Sequence, residues 1–269
     1  MKQQQENEGL LEATGRAAVD SVHALRGAFE FTGRVAAAVA GAVRPRSFRL
    51  PDFGAVFLRT GVEAVPVTLL VGFLLGFIIA YMSAAMLNKF GAEIYVANLI
   101  GLALIRELGT IVAAIVLAAR SASAFAAEIG TMVVNDEIAA MRTMGIDPVR
   151  HLALPRILAG ALALPLLSLF ADLAGLAGGY ITLAIFGYSL RIFLANAFAF
   201  CSAGDLATTL AKGVVFGILI AGTGCRCGLE TGAGSDAVGK ATTSAVVTSL
   251  VLFIAADGLF ALVSSAIGA

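Results

Sequence analysis

Five ionisable residues stand inside otherwise apolar stretches of the sequence: the adjacent pair Arg106 and Glu107, then Asp172, Lys212 and Asp257. An ionisable group at the centre of a bilayer costs roughly 3 kcal/mol or more unless it is paired or faces water. None of these side chains should therefore face lipid. Neighbouring residues on a helix point about 100° apart, so Arg106 and Glu107 make a poor pair with each other and a better pair of contacts to other helices. Two readings follow. The five residues form a polar network that locks helices together, or they form the polar wall of a substrate path.

Other candidate chemistry is weaker. The segment Gly234-Ser-Asp-Ala-Val-Gly239-Lys240-Ala241 nearly spells a phosphate-binding loop, but Ala241 occupies the position of the hydroxyl residue that would hold magnesium. Cys225 and Cys227 have a metal-like spacing, yet the two histidines, His23 and His151, lie in separate segments. Those histidines also leave no arguable Ser-His-Asp arrangement. No metal, cofactor or catalytic residue is expected. The charged stretch 128–156 contains Ile138, Met141 and Met144 at intervals of three, which predicts a short amphipathic helix over Asp136–Met144, ended by Gly145 and followed by Asp147-Pro148. Such a helix can dock in a groove of a soluble partner or simply stand in solvent.

The elements that must position these residues follow from composition. Of the 269 residues, 59% are apolar and 13% charged, and the mean hydropathy is +0.93. A soluble globule carries about a quarter of its residues as charges, so an ordinary cytosolic enzyme and a disordered chain are excluded. Equal numbers of basic and acidic residues, 18 of each, imply no polyanionic partner and no nucleic acid. From Ala64 to Asn88 there are 25 uncharged residues in a row; at 1.5 Å rise these reach roughly 37 Å, enough to cross the ~30 Å hydrocarbon core. Spans are expected at about 64–88, 94–119, 157–187, 206–225 and 241–267, with Pro66 breaking the start of the first. The 30 glycines suit close helix packing in lipid.

Arg44, Arg46, Arg49, Arg59, Arg120, Arg142, Arg150, Arg156, Arg226 and Lys240 fall on one side of these spans, against Lys89 and Arg191 on the other. The positive-inside rule then puts the N-terminus in the cytoplasm and the C-terminus outside. Residues 1–49 form a separate segment. Leu10, Ala18, Val22, Leu25, Phe29, Ala36, Val39 and Val43 recur at helical spacing against a charged stripe, which predicts an amphipathic helix lying in the interface plane rather than a cleavable signal. The expected fold is an all-α integral membrane protein, an N-terminal interfacial helix 1–49 followed by a five-span domain 50–269.

Three segments carry a resemblance: FGAEIYVANLIGLALIRELG at 90–109, AARSASAFAAEIGTMVVNDEIAAMRTMGIDPVRHLALPR at 118–156, and GCRCGLETGAG with VGKATTSAVVTSL at 224–250. Over about residues 50–263 the chain resembles the MlaE-type permeases of ATP-binding-cassette lipid transporters associated with MCE-domain proteins. The resemblance implies a homodimeric permease of the bacterial inner membrane, a glycerophospholipid substrate, two cytoplasmic ATPase subunits, a periplasmic MCE ring and, in some members, a STAS-type regulator, which here would be a separate subunit. It also implies that Asp136, Glu137, Ile138, Met141, Arg142 and Met144 belong to the segment seated on the ATPase. Arg106 and Glu107 match the family's RELG motif on the lipid path, Lys212 and Asp257 match its intramembrane charges, and Phe90 falls where members place an aromatic near the lipid pocket. Thr110 stands where a proline commonly follows RELG, and GSDAVG departs from the usual GAxGVG. The competing expectation is a secondary transporter or channel working alone, with the buried charges as an ion path; five spans without a visible inverted repeat count against it.

Overall fold

The computed structural model describes residues 33 and 50–267. The chain divides into two units, Met1–Phe48 and Arg49–Ala269, and the expected interfacial helix 1–49 lies outside the described residues apart from Gly33. The second unit is all helix: among the described residues no strand occurs.

A first helix, α1 (Leu50–Thr60), is strongly one-sided and ends at Gly61, after which a single 3-10 turn, Val62–Ala64, leads into α2 (Val65–Leu87). Pro66 lies in the opening turn of α2, where a missing N–H breaks no helical hydrogen bond, so the break falls just before the proline. The chain turns back through Asn88–Phe90 and Gly91, which has φ +66°, and enters α3, an unbroken run over Tyr95–Val134. Helix α3 is not uniformly α: π-helical turns interrupt it at Leu104–Leu108 and Ala118–Ala122.

A short helix α4 (Glu137–Thr143) follows. Its N-cap Asp136 sits in the left-handed region at φ 59°, and Gly145 ends it at φ +73°. There Ile146 N–H donates to Met141 O and Gly145 N–H to Arg142 O, a Schellman closure that a residue with a Cβ would strain. Helix α5 (Val149–Ile185) begins with a π-helical turn, and α6 (Leu190–Ala197) leads to α7 (Ala203–Leu229) and α8 (Ser235–Ile267).

Five helical runs are long and apolar enough to cross a membrane: α1 with α2, then α3, α5, α7 and α8. They extend past the spans expected from the uncharged runs. Helix α3 continues 15 residues beyond Ala119, so residues 128–134 are helix rather than loop, and α7 begins at Ala203, three residues before Leu206. In each case a charged residue that suggested an end, Arg120, Glu128 or Asp205, is paired.

Helix α5 is the central element, buried along most of its length, whereas α2 and α8 keep broad apolar faces open, such as Leu70, Met82, Val251 and Leu259. Small residues set the inter-helix distances. A Cβ on Gly76 of α2 would lie 2.0 Å from Gly175 O of α5, and one on Gly217 of α7 would lie 2.2 Å from Gly160 O of α5. Backbone thus meets backbone, the close approach that replaces hydrophobic driving force between helices in lipid. Two apolar cores fill the remaining space, one around Phe216, Phe253, Leu117 and Leu164, the other around Phe193, Ile100 and Leu183.

Candidate functional site

Four of the five intramembrane charges converge. Lys212 of α7 is 3% exposed at its side chain, and its ammonium donates to Glu107 Oε1 and Oε2 at 2.8 Å each and to Asp257 Oδ1 of α8 at 3.2 Å. An ammonium has three N–H donors, so these contacts account for its full capacity. Arg106 turns the other way and binds Asp205 Oδ1 at 2.8 Å. Asp205 is the N3 residue of a capping box on α7: Ser202 N–H donates to its carboxylate at 2.8 Å, and Ser202 Oγ accepts from Asp205 N–H at 3.2 Å. The same carboxylate therefore caps α7 and anchors α3.

The first π-turn of α3 makes this double pairing possible. In it Gly109 N–H donates to Leu104 O, five residues back, which leaves the carbonyl of Ile105 without its usual partner. Thr209 Oγ of α7 donates to that carbonyl at 2.5 Å. Asp205, Thr209 and Lys212 lie at i, i+4 and i+7, one stripe of α7. One face of α7 thus holds Arg106, the spare carbonyl and Glu107 in turn.

These groups open onto a cavity of ≈ 330 Å³, lined also by Ser202, Thr208 and Ser264. That is near the lower end of small-molecule pockets, roughly 300 Å³. Glu107 is 42% and Arg106 44% exposed at the side chain, so each keeps polar capacity for something in the cavity. Cys201 borders the same end, and burial, then the Asp205 carboxylate, pushes its thiol up, which makes it a poor nucleophile.

Asp172 of α5 is placed differently. It is 5% exposed, neither carboxyl oxygen has a partner, and a Cβ on Gly109 would lie 1.8 Å from Oδ1. Phe90 does not join the cavity wall; it is 84% exposed on the turn between α2 and α3.

A second charged cluster lies at the arginine-rich end. Arg120, on the second π-turn of α3, donates to Arg59 O at 2.8 Å and to Glu63 at 2.5 Å. Glu128 accepts from Arg59 at 3.2 Å and from Arg156 at 2.9 Å, and the Arg156 guanidinium stacks over Phe125 at 5.7 Å. These contacts tie α1 to α3 and α5. Just beyond them, α4 presents Asp136, Glu137, Arg142 and Met144 outward, whereas Ile138 and Met141 are buried in the protein itself.

Comparison with known proteins agrees with this architecture. The family described as Permease MlaE matches residues 53–263. The chain belongs to the MlaE permease family. Among its relatives, a protein of Rickettsia typhi named "Probable ABC transporter permease protein" is 34% identical over 203 residues, 75% of this chain and 78% of that one. A Synechocystis protein of the same description is 37% identical over 191 residues, 71% and 73% of the two chains. The chloroplastic protein TRIGALACTOSYLDIACYLGLYCEROL 1 of Arabidopsis thaliana is 36% identical over 200 residues, 74% of this chain and 57% of that protein. This MlaE-family chain is an ABC transporter permease.

In this permease the structure brings together Arg106, Glu107, Lys212 and Asp257. Asp205 and Thr209 complete the site, and sequence reasoning missed both. The signal for Asp205 was available: Ser202-Ala-Gly-Asp205 before an apolar run is a capping-box pattern.

Proposed function

We propose that the chain is the membrane-spanning subunit of an ATP-driven phospholipid transporter, with its N-terminus in the cytoplasm. Two copies would enclose an apolar chamber for acyl chains, and the cavity bearing Arg106, Glu107 and Lys212, the last also bound to Asp257, would receive the polar end of the lipid. The observation that carries this reading is the pairing of a half-exposed arginine with the half-buried Asp205, and of a half-exposed glutamate with the buried Lys212, at the wall of a cavity flanked by apolar helices. Such a wall, two cations among three carboxylates, offers both signs of charge to a zwitterionic headgroup. The name of the plant relative, which refers to trigalactosyldiacylglycerol, supports a lipid cargo.

ATP hydrolysis belongs to a separate cytoplasmic subunit, seated on α4. Because Ile138 and Met141 hold α4 to the permease, the docking face consists of the outward residues Asp136, Glu137, Arg142 and Met144. By the family resemblance, the outer partner is a periplasmic MCE protein, the membrane is the bacterial inner membrane, and a STAS-type regulator accompanies some members. Nothing in this mechanism requires a cofactor in the permease.

Reconstituted complex tests the reading. Glu107→Gln and Arg106→Gln should each cut transfer of labelled phospholipid by an order of magnitude without dissociating the complex; unchanged transfer in both would remove the pair from the path. Docking is read separately: Arg142→Glu combined with Met144→Asp should abolish co-purification of the ATPase, and an intact complex would exclude this face.

A further inference from the structure

The transport reading gives no task to a second cavity, of ≈ 120 Å³, where α1, α3 and α5 meet at the arginine-rich end. Among the described residues its wall carries three cations, Arg59, Arg120 and Arg156, against two carboxylates, Glu63 and Glu128. Both carboxylates are engaged: Glu128 holds Arg59 and Arg156 together, and Glu63 holds Arg120. The wall as a whole therefore keeps one positive charge in excess. One negative charge inside the cavity would balance it.

Hydrogen-bond donors are in surplus as well. A guanidinium has five N–H groups; Arg120 spends one on Arg59 O and one on Glu63. Arg156 donates to Leu152 O and to Glu128 and lies over the Phe125 ring, while its Nε is buried without an acceptor. Thr60, the last residue of α1, lines the cavity; it is 2% exposed, and its hydroxyl has no partner. That is unusual in this chain, because Thr68, Thr131, Thr208, Thr209 and Thr223 each donate to the carbonyl four residues back. Ser121, 4% exposed, brings another hydroxyl to the wall. The cavity thus lacks acceptors rather than donors, and buried donors left unpaired are costly.

The charges of this wall also stand at one depth. Glu63 directly precedes the apolar run that starts at Ala64, Arg120 directly follows the run that ends at Ala119, and Arg156 directly precedes the run that starts at Ile157. Three helices leave the hydrocarbon at this level, which is the level of the lipid phosphates. Basic pockets between membrane helices at that depth take anionic headgroups. The ≈ 120 Å³ volume is about four times the ~30 Å³ share of a water in the liquid, room for a tetrahedral phosphate group and too little for a nucleotide. We infer that this cavity binds one phosphate group carrying a single negative charge, and that its depth makes a phospholipid of the adjacent leaflet the source rather than free phosphate. Arg59, Arg120 and the Thr60 and Ser121 hydroxyls are the donors to the phosphate oxygens, which then bridge α1 to α3. This site is separate from the Arg106–Glu107 cavity, and the inference does not depend on what that cavity does.

The test is native mass spectrometry of the full-length chain in detergent with graded phosphatidylglycerol, an anionic phosphodiester. Wild type should retain a bound lipid whose dissociation constant rises about tenfold in Arg120→Gln, which removes a charged donor, and severalfold in Thr60→Val, which removes a neutral one. Circular dichroism of both variants should match wild type, which separates lost binding from lost folding. Diacylglycerol, with the same chains and no phosphate, should not displace the lipid. Displacement by an equal concentration of inorganic phosphate would make free phosphate the occupant and leave the oxyanion site standing. Wild-type affinity in both variants, or displacement by diacylglycerol, would overturn the inference. Binding lost in Arg106→Gln but kept in Arg120→Gln would place the lipid in the other cavity and overturn it too; transfer of labelled lipid by the assembled complex decides the transport reading independently of these results.

Discussion

Helix α3 is interrupted by a π-turn twice, and each interruption carries an arginine, yet the two sites are built to different specifications. At Leu104–Leu108 the arginine and its neighbour glutamate reach partners on α7, and the central cation, Lys212, is 3% exposed at its side chain. At Ala118–Ala122 the arginine reaches the α1 end of the chain, and its partner Glu63 is 57% exposed. Both sites have an open rim, with Arg106 and Glu107 44% and 42% exposed at the first; the difference is the sealed cation at the centre of the first, which the second lacks. Burial multiplies the cost of a missing partner, so the first site depends most on its buried cation, Lys212, while the second, with no charge sealed as fully, can lose members and hold.

The comparison breaks most easily at Lys212. Replacing it with Met leaves Glu107 and Asp257 without their cation and should cost about 3–5 kcal/mol, read as a lowered unfolding midpoint in detergent, with Glu107→Gln in the same chain recovering part of the loss. A midpoint within error of wild type would erase the distinction between the two clusters. Gly109→Ala comes next. Its methyl would overlap the Asp172 carboxyl, an overpacking cost of about 1–3 kcal/mol that Asp172→Ala in the same chain should relieve.

Arg120→Ala sharpens the other side. It removes partly exposed contacts to Arg59 O and Glu63, and should cost about 1 kcal/mol or less, shrinking further at high salt. The Lys212 effect should persist at the same salt concentration. Smallest is Glu230→Gln, which breaks an exposed i,i+4 pair with Arg226 and should shift stability by about 0.3–0.5 kcal/mol.

How far the sequence could be read depended on which distance scale a feature obeys. Spans were legible because crossing a bilayer demands an uninterrupted apolar run, and the residues that must not face lipid were legible for the same reason: Arg106, Glu107, Lys212 and Asp257 do meet. The helix over Asp136–Met144 was legible from its period, and Gly145 from its turn chemistry. The direction of that helix's apolar face was not. Periodicity says that Ile138 and Met141 share a face, but whether the face meets a partner or the chain's own body depends on how α3 and α5 are placed. The π-turns were hidden for a related reason. A π-turn has no composition of its own; at the first one another helix supplies the donor for the spare carbonyl, Thr209 for Ile105, and at the second Ser123 of the same helix donates to Ala119 O. Asp205 was hidden because a charge was read as the end of a span when it was the cap of one.

The contact between α2 and α5 carries a mechanical consequence. Gly72 and Gly76 lie against Ala171 and Gly175, and Gly178 against Phe73, all at backbone distance. Side chains that slide past one another act as a lubricant layer, and here that layer is missing. Two helices whose peptide groups interlock cannot slip along their axes without lifting apart, so α2 and α5 form a stiff double rod. Such a rod carries a push along its length as one body, whereas the neighbouring α3 is broken by two π-turns and lacks that continuity.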